Sequence, residues 1–314
     1  MTLYIFYKNR YKLTKISLFN TGRRRNSKMK WKGRTRSSNV EDRRGSGDLG
    51  IGGKGALGGG LGIIILIVYM FLGGDPSQII NQSQLINSGN EISYQETAEE
   101  KELAEFVSVV LADTEHVWKD IFNSKNLEYQ EPKLVLYSGT VQSACGTAGS
   151  STGPFYCPGD NKVYIDLSFY KELQTFFKAP GDFAMAYVIA HEVGHHVQNQ
   201  LGVMDEIQQL RARLSKEEYN KLSVRLELQA DYLAGVWAHY AEEINILEKG
   251  DIEEALNAAS AVGDDLIQKQ TQGYIVPDSF THGTSAQRMK WFMKGYEEGN
   301  LDQWDTFSVN EKDL

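Results

Sequence analysis

Asp182-Phe-Ala-Met-Ala-Tyr-Val-Ile-Ala-His191-Glu192-Val193-Gly194-His195-His196 is the stretch on which the reading of this chain turns. Eight uncharged, mostly apolar residues precede His191 without a polar stripe. The segment is therefore expected to be a helix buried on all sides, with Asp182 as its N-cap. Residues four apart on a helix differ in direction by about 40°, so His191 and His195 can aim ring nitrogens at one ion. Glu192 lies beside that face rather than on it. It can reach a water next to the ion without taking a ligand position, as a general base must. Two imidazoles and a carboxylate on an apolar helix need a partner to offset their burial, and one catalytic Zn2+ is the expected partner.

Catalytic zinc takes three protein ligands and keeps a fourth position for water, so a third ligand is sought downstream. The metzincin extension is excluded, because Gln198 and Leu201 stand where that pattern needs Gly and His. The capping box Ser215-Lys-Glu-Glu218 opens a further helix carrying Leu226-Glu227-Leu-Gln-Ala-Asp231-Tyr-Leu-Ala-Gly235. Glu227 is the expected third ligand. Asp231, one turn on, is expected to accept the outer N–H of a liganding His and fix its tautomer. Ala230, Ala234 and Gly235, with Gly194 opposite, should let the two helices approach closely.

Outward from this pair, apolar residues recur at three and four residues from Leu103 to Phe122, which predicts one long amphipathic helix beginning after Glu96. Lys133–Tyr137 reads as a short strand, and Phe155–Cys157 with Val163–Leu167 as a hairpin turning at Pro158–Asn161. Helices fill most of the remainder, with breaks near Gly202, Ser215, Gly250, Gly273–Gly283 and after Gly299. No internal repeat of 20 to 50 residues is evident. Cys145 and Cys157 either close a loop as a disulfide in an oxidising compartment or remain two separate buried thiols. His116, His196 and His239 are read as structural.

The 314 residues carry a formal charge of −8, unevenly spread. Residues 1–54 hold 15 Lys/Arg against Glu41, Asp42 and Asp48, a net +12, which leaves the other 260 residues at −20. Residues 55–74 lack any charged side chain and, as a helix rising 1.5 Å per residue, are just long enough to cross a hydrocarbon core of about 30 Å. The expectation is a basic cytoplasmic tail (1–54, in which Met29 could itself be a translation start, setting 1–28 apart) and a transmembrane helix (55–74). A polar linker (75–96), a catalytic domain outside the cytoplasm (97–300) and a polar C-terminal tail (301–314) follow. This makes a single-pass inner-membrane protein. The basic segment is read as a topology signal, with no nucleic-acid partner, because no aromatic-interleaved platform accompanies its charges.

His-Glu-x-x-His followed by Glu-x-x-x-Asp on a later helix resembles the gluzincin arrangement. The chain resembles more closely one bacterial family, the membrane-anchored neutral zinc metallopeptidases, from Met29 to about Gly299. The resemblance is carried by Asn39–Arg44, Gly153–Pro158, Val163–Leu167, His191–His196, Glu227–Asp231 and Val276–Ser285. It implies a predominantly helical α+β, zincin-like domain with a small β-sheet. It also implies hydrolysis of peptide bonds in a protein or peptide substrate, while His282 resembles the late His of CAAX-protease-like gluzincins, which implies a donor to the oxyanion of the tetrahedral intermediate. A peptide could add as a strand along an exposed edge, with Val163–Leu167 the expected edge. Two other readings stay open: a zinc-containing envelope binding or assembly module without turnover, and a zinc hydrolase of a non-peptide amide.

Overall fold

The computed structural model describes residues 29–45 and 94–314. The apolar run 55–74 lies outside the described residues, and among the described residues no helix is long and apolar enough to cross a membrane.

The long N-terminal helix forms as its periodicity requires: α1 (Ala98–Ser124) starts at a Thr97/Glu100 capping box and buries Phe106, Val110, Val117, Trp118 and Phe122. A sheet of order β1-β2-β6-β5 follows, built from β1 (Val40–Asp42), β2 (Lys133–Tyr137), β5 (Phe155–Cys157) and β6 (Lys162–Asp166). β1, β2 and β6 run parallel, and β5 is antiparallel to β6 across the turn at Asn161. Alternation separates the two faces. Leu134, Leu136, Val163 and Ile165 join the helical core. Val135, Tyr137 and Tyr164 face a hairpin of β3 (Thr140–Ser143) and β4 (Gly146–Gly149) through Val141 and Ala148. A Cys145–Cys157 disulfide ties this hairpin to β5.

After α2 (Ser168–Thr175), the buried helix α3 (Asp182–Gln200) crosses the centre, with every residue from Asp182 to Gln198 buried. Asp182 is its first residue rather than its N-cap. Gly181 occupies the cap, at φ 134°, because a Cβ there would lie 2.0 Å from the Glu254 carboxylate. Glu254 instead accepts the Phe183 N–H at 3.2 Å, the task an N-cap side chain would perform. α4 (Val203–Arg211) leads to α5 (Lys216–Glu243), opened by the expected Ser215/Glu218 box. α6 (Asp251–Ala261), α7 (Asp264–Thr271) and α8 (Ser285–Glu298) complete the layer.

Gly194 does face α5, where a Cβ would lie 3.1 Å from the Ala230 carbonyl. Gly235 does not face α3. It meets α8, with Gly295 as its counterpart: a Cβ on Gly235 would fall 2.0 Å from Phe292 O, and one on Gly295 1.9 Å from Tyr232 O. The two glycines thus permit the backbone contact between α5 and α8 that seats Glu227 and Arg288 together.

Three further expectations are corrected. Residues 29–45 are part of the domain and not a separate tail: Met29 and Trp31 are buried, and β1 pairs with β2 in register Val40↔Leu134. Residues 301–314 are likewise packed, with Thr306 fully buried, donating to Arg225 O at 2.7 Å, and Arg225 bonding back to the Thr306 and Val309 carbonyls. Finally, β6 lies inside the sheet, and the edges are β1 and β5.

Candidate metal centre

His191 and His195 stand one turn apart, His191 at the centre of α3 and His195 in its C-terminal half, and Glu227 comes from the middle of α5. His191 Nε2 lies 3.1 Å from Glu227 Oε2, and His195 Nε2 lies 3.4 Å from Glu227 Oε1. One donor atom from each falls within 4.8 Å of the other two. Each imidazole is held from behind. His191 Nδ1 donates to Asp231 at 2.9 Å, and His195 Nδ1 donates to Gln198 Oε1 at 2.8 Å. These bonds fix the tautomers that leave both Nε2 atoms as metal donors. Two imidazole nitrogens and a carboxylate are a donor set that fits zinc.

Asp231 is fully buried and is the hub of a network that the sequence reading reached only in part. It also accepts from Tyr187 Oη at 2.5 Å and from Arg288 Nε and Nη2 at 2.8 and 3.0 Å. Arg288, on α8, is buried as well and lies 3.8 Å from Glu227. Burial alone would protonate Asp231, but the Arg288 and His191 charges outweigh it and hold the carboxyl below its ordinary value. Burial would likewise raise Glu227, yet His195, His282 and His191 hold it well below the usual carboxylate range. For His191, burial disfavours the imidazolium. Asp231, by charge and hydrogen bond, and Glu227 by its hydrogen bond overcome this and raise it to about 9. The metal-free site therefore keeps its buried carboxylates ionised against an Arg and a protonated His.

Gln198 is the second residue the sequence reading missed. Fully buried, it accepts from His195 and donates to Leu226 O and Gln229 Oε1 at 2.7 and 3.0 Å; Gln229 in turn donates to Trp304 O at 3.3 Å. Its signal was in the sequence: an amide side chain three residues after His195, on the same face of an otherwise apolar helix.

A cleft of about 530 Å³ opens onto the three donor atoms, walled by Phe155, Tyr156, Phe169, Phe177, Met204 and Ile267. Glu192 lines it but is not among the converging donors, as its place on the helix requires. His282 lines it too, half exposed, with Nδ1 3.2 Å from Asp264. Glu227 and Asp264 raise its pKa against the effect of burial. His196 points elsewhere, bonding Tyr156 Oη and Gln130 O, and His239 donates to Tyr296 O. His116 is on the surface beside Asp120.

A helical α+β domain thus brings together two His of the buried helix α3 and one Glu of α5 as a two-histidine, one-carboxylate group that could hold a metal ion. Residues 29–307 match the family model described as "Putative neutral zinc metallopeptidase", and the chain belongs to that family. It is 49% identical over 286 residues to the uncharacterized protein YpfJ of Escherichia coli K12, covering 89% of this chain and 99% of that protein. It is 41% identical over 258 residues to the uncharacterized proteins Mb2605 of Mycobacterium bovis and Rv2575 of Mycobacterium tuberculosis, covering 76% of this chain and 85% of each. No solved structure matches.

Proposed function

We propose that this protein is a zinc-dependent peptidase. The observation that carries the reading is the convergence of His191 Nε2, His195 Nε2 and Glu227 on one point of an open cleft, with Glu192 beside that point and free of the ligand role. Bound there, zinc supplies Lewis-acid polarisation of a carbonyl oxygen and of a water.

The protein's own groups do the rest. Glu192 takes the proton of the attacking water on its carboxylate and returns it to the leaving amine nitrogen. His282, whose pKa is raised by Glu227 and Asp264 against burial, donates toward the carbonyl oxygen as negative charge develops there. Asp231 and Gln198 keep the imidazoles oriented, and Arg288 offsets the charge of Asp231 and Glu227. β5, the sheet edge whose Phe155 and Tyr156 line the cleft, offers backbone groups to an extended peptide, while the apolar wall takes its side chains. Membrane attachment through residues 55–74 is retained in a form that leaves residues 29–45 and 94–314 on one side.

The test is hydrolysis of casein by the full chain, before and after chelation and on readdition of zinc. Activity lost to the chelator and restored by about one equivalent of zinc supports the assignment. A zinc-loaded protein that cleaves neither casein nor a broad peptide library refutes it.

A further inference from the structure

A second cluster of acids lies about 13 Å along α3 from the first metal ligand, nine residues at 1.5 Å each. Asp182 and Asp251 are the first residues of α3 and α6, Glu254 stands in the first turn of α6, and one carboxylate oxygen from each lies within 4.8 Å of the others. The two helix starts offset part of this charge: Phe183 N–H donates to Glu254, and Glu248 N–H donates to Asp251 Oδ2 at 2.8 Å. Asp251 Oδ1 sits in a fully buried residue and has no hydrogen-bond partner. An ionised oxygen in that position is costly unless a positive donor reaches it.

The group at the mouth of this cluster is the backbone nitrogen of Met29, 3.3 Å from Asp182 Oδ1. Met29 is itself 2% exposed, and its neighbours are fastened in the same corner: Lys30 N–H donates to Ile246 O, and Trp31 packs edge-on against Phe106. As part of a peptide bond, that nitrogen offers one neutral N–H to one oxygen. As a chain terminus, the same atom offers a positive charge and three N–H donors.

We propose that the Asp182–Asp251–Glu254 pocket is a receptor for an α-ammonium group, that of Met29, and that the functioning protein begins at this residue. Its ion pair would fasten the first residue of the strap that delivers β1 to the sheet. Two sources give the same group. Synthesis can start at Met29, or water can add across the Lys28–Met29 amide, leaving the carboxylate on Lys28 and the amine on Met29.

The experiment expresses the whole gene, with its own upstream sequence and a C-terminal tag, and determines the N-terminus of the folded product by intact mass and N-terminal sequencing. Met29 with a free amine is the expected result. In a Met29→Leu variant, a product that still begins at position 29 identifies cleavage, and loss of the short product identifies initiation; either source supports the receptor. In the native protein the Met29 amine should react with an amine-directed label at least tenfold more slowly than in Asp251→Asn or Glu254→Gln. Equal labelling overturns the proposal. So does a folded product that retains residues 1–28. So does a rise in Tm with 1 mM calcium, magnesium or manganese that Asp251→Asn abolishes, which would make the pocket a divalent-cation site.

Discussion

Asp231→Asn separates the role of the buried carboxylate from that of the zinc ligands. The side chain keeps its size but loses its charge and half of its acceptor capacity, while four donors still converge on it: His191 Nδ1, Tyr187 Oη, and Arg288 Nε and Nη2. Its new NH2 group must face donors. Arg288, 3% exposed, is left with Glu227 at 3.8 Å as its remaining carboxylate within ion-pair distance. Breaking a buried ion pair by removing one partner costs about 3–5 kcal/mol, which for a domain of this size lowers Tm by roughly 6–20 °C. The outer-shell bond to His191 is lost or shared, which weakens zinc by about 10- to 100-fold. Thermal unfolding of the metal-free full chain measures the first effect, and zinc competition against a chromophoric chelator measures the second. A folded variant with zinc affinity within twofold of wild type and Tm within 2 °C would refute the view that Asp231 organises the site.

Further perturbations test other parts of the account. Gln198→Ala removes the acceptor behind His195 together with the bonds to Leu226 O and Gln229 Oε1, so zinc affinity should fall by about tenfold, read by the same competition assay. Because the folded pKa of His191 is raised to about 9 from 6.5, its protonation stabilises the metal-free protein fully below pH 6.5, and that contribution disappears as the pH rises through 9. Zinc must displace this proton, so between about pH 6.5 and 9 its affinity should climb by roughly tenfold per pH unit while metal-free stability declines, measurable by titration and by thermal melts across that range. Gly295→Ala forces a Cβ onto Tyr232 O and should cost at least about 1–3 kcal/mol, lowering Tm of metal-free and zinc-loaded protein alike.

The central helix and its His191–His195 pair were legible in the sequence because one helix carries both imidazoles at fixed spacing, and burial of polar groups there has few explanations. Glu227 and Asp231 were legible for the same reason on a second helix. Capping boxes marked the start of α5, and β2 and β5 fell where their apolar and β-branched runs predicted. What was hidden depends on partners distant in sequence. β1 is three residues, two of them acidic, that become a strand only by pairing with β2 some ninety residues later. The positive charges that flank β1 read as a membrane-topology signal, although Arg34 and Arg44 are engaged by Asp113 and by Asp42 and Glu96. Arg288 could not be told from a surface arginine until α8 crossed α5, and that crossing rests on Gly235 and Gly295, 60 positions apart. The C-terminal residues read as polar because their backbone, rather than their side chains, receives Arg225 and Gln229.

The most direct test of the catalytic assignment compares the full chain with Glu192→Gln and His191→Ala, measuring zinc per chain and casein cleavage on the same samples. Glu192→Gln should keep about one zinc per chain and lose hydrolysis by about 10²- to 10⁴-fold, while His191→Ala should lose both. A Glu192→Gln protein that binds zinc and cleaves as well as wild type would contradict the account.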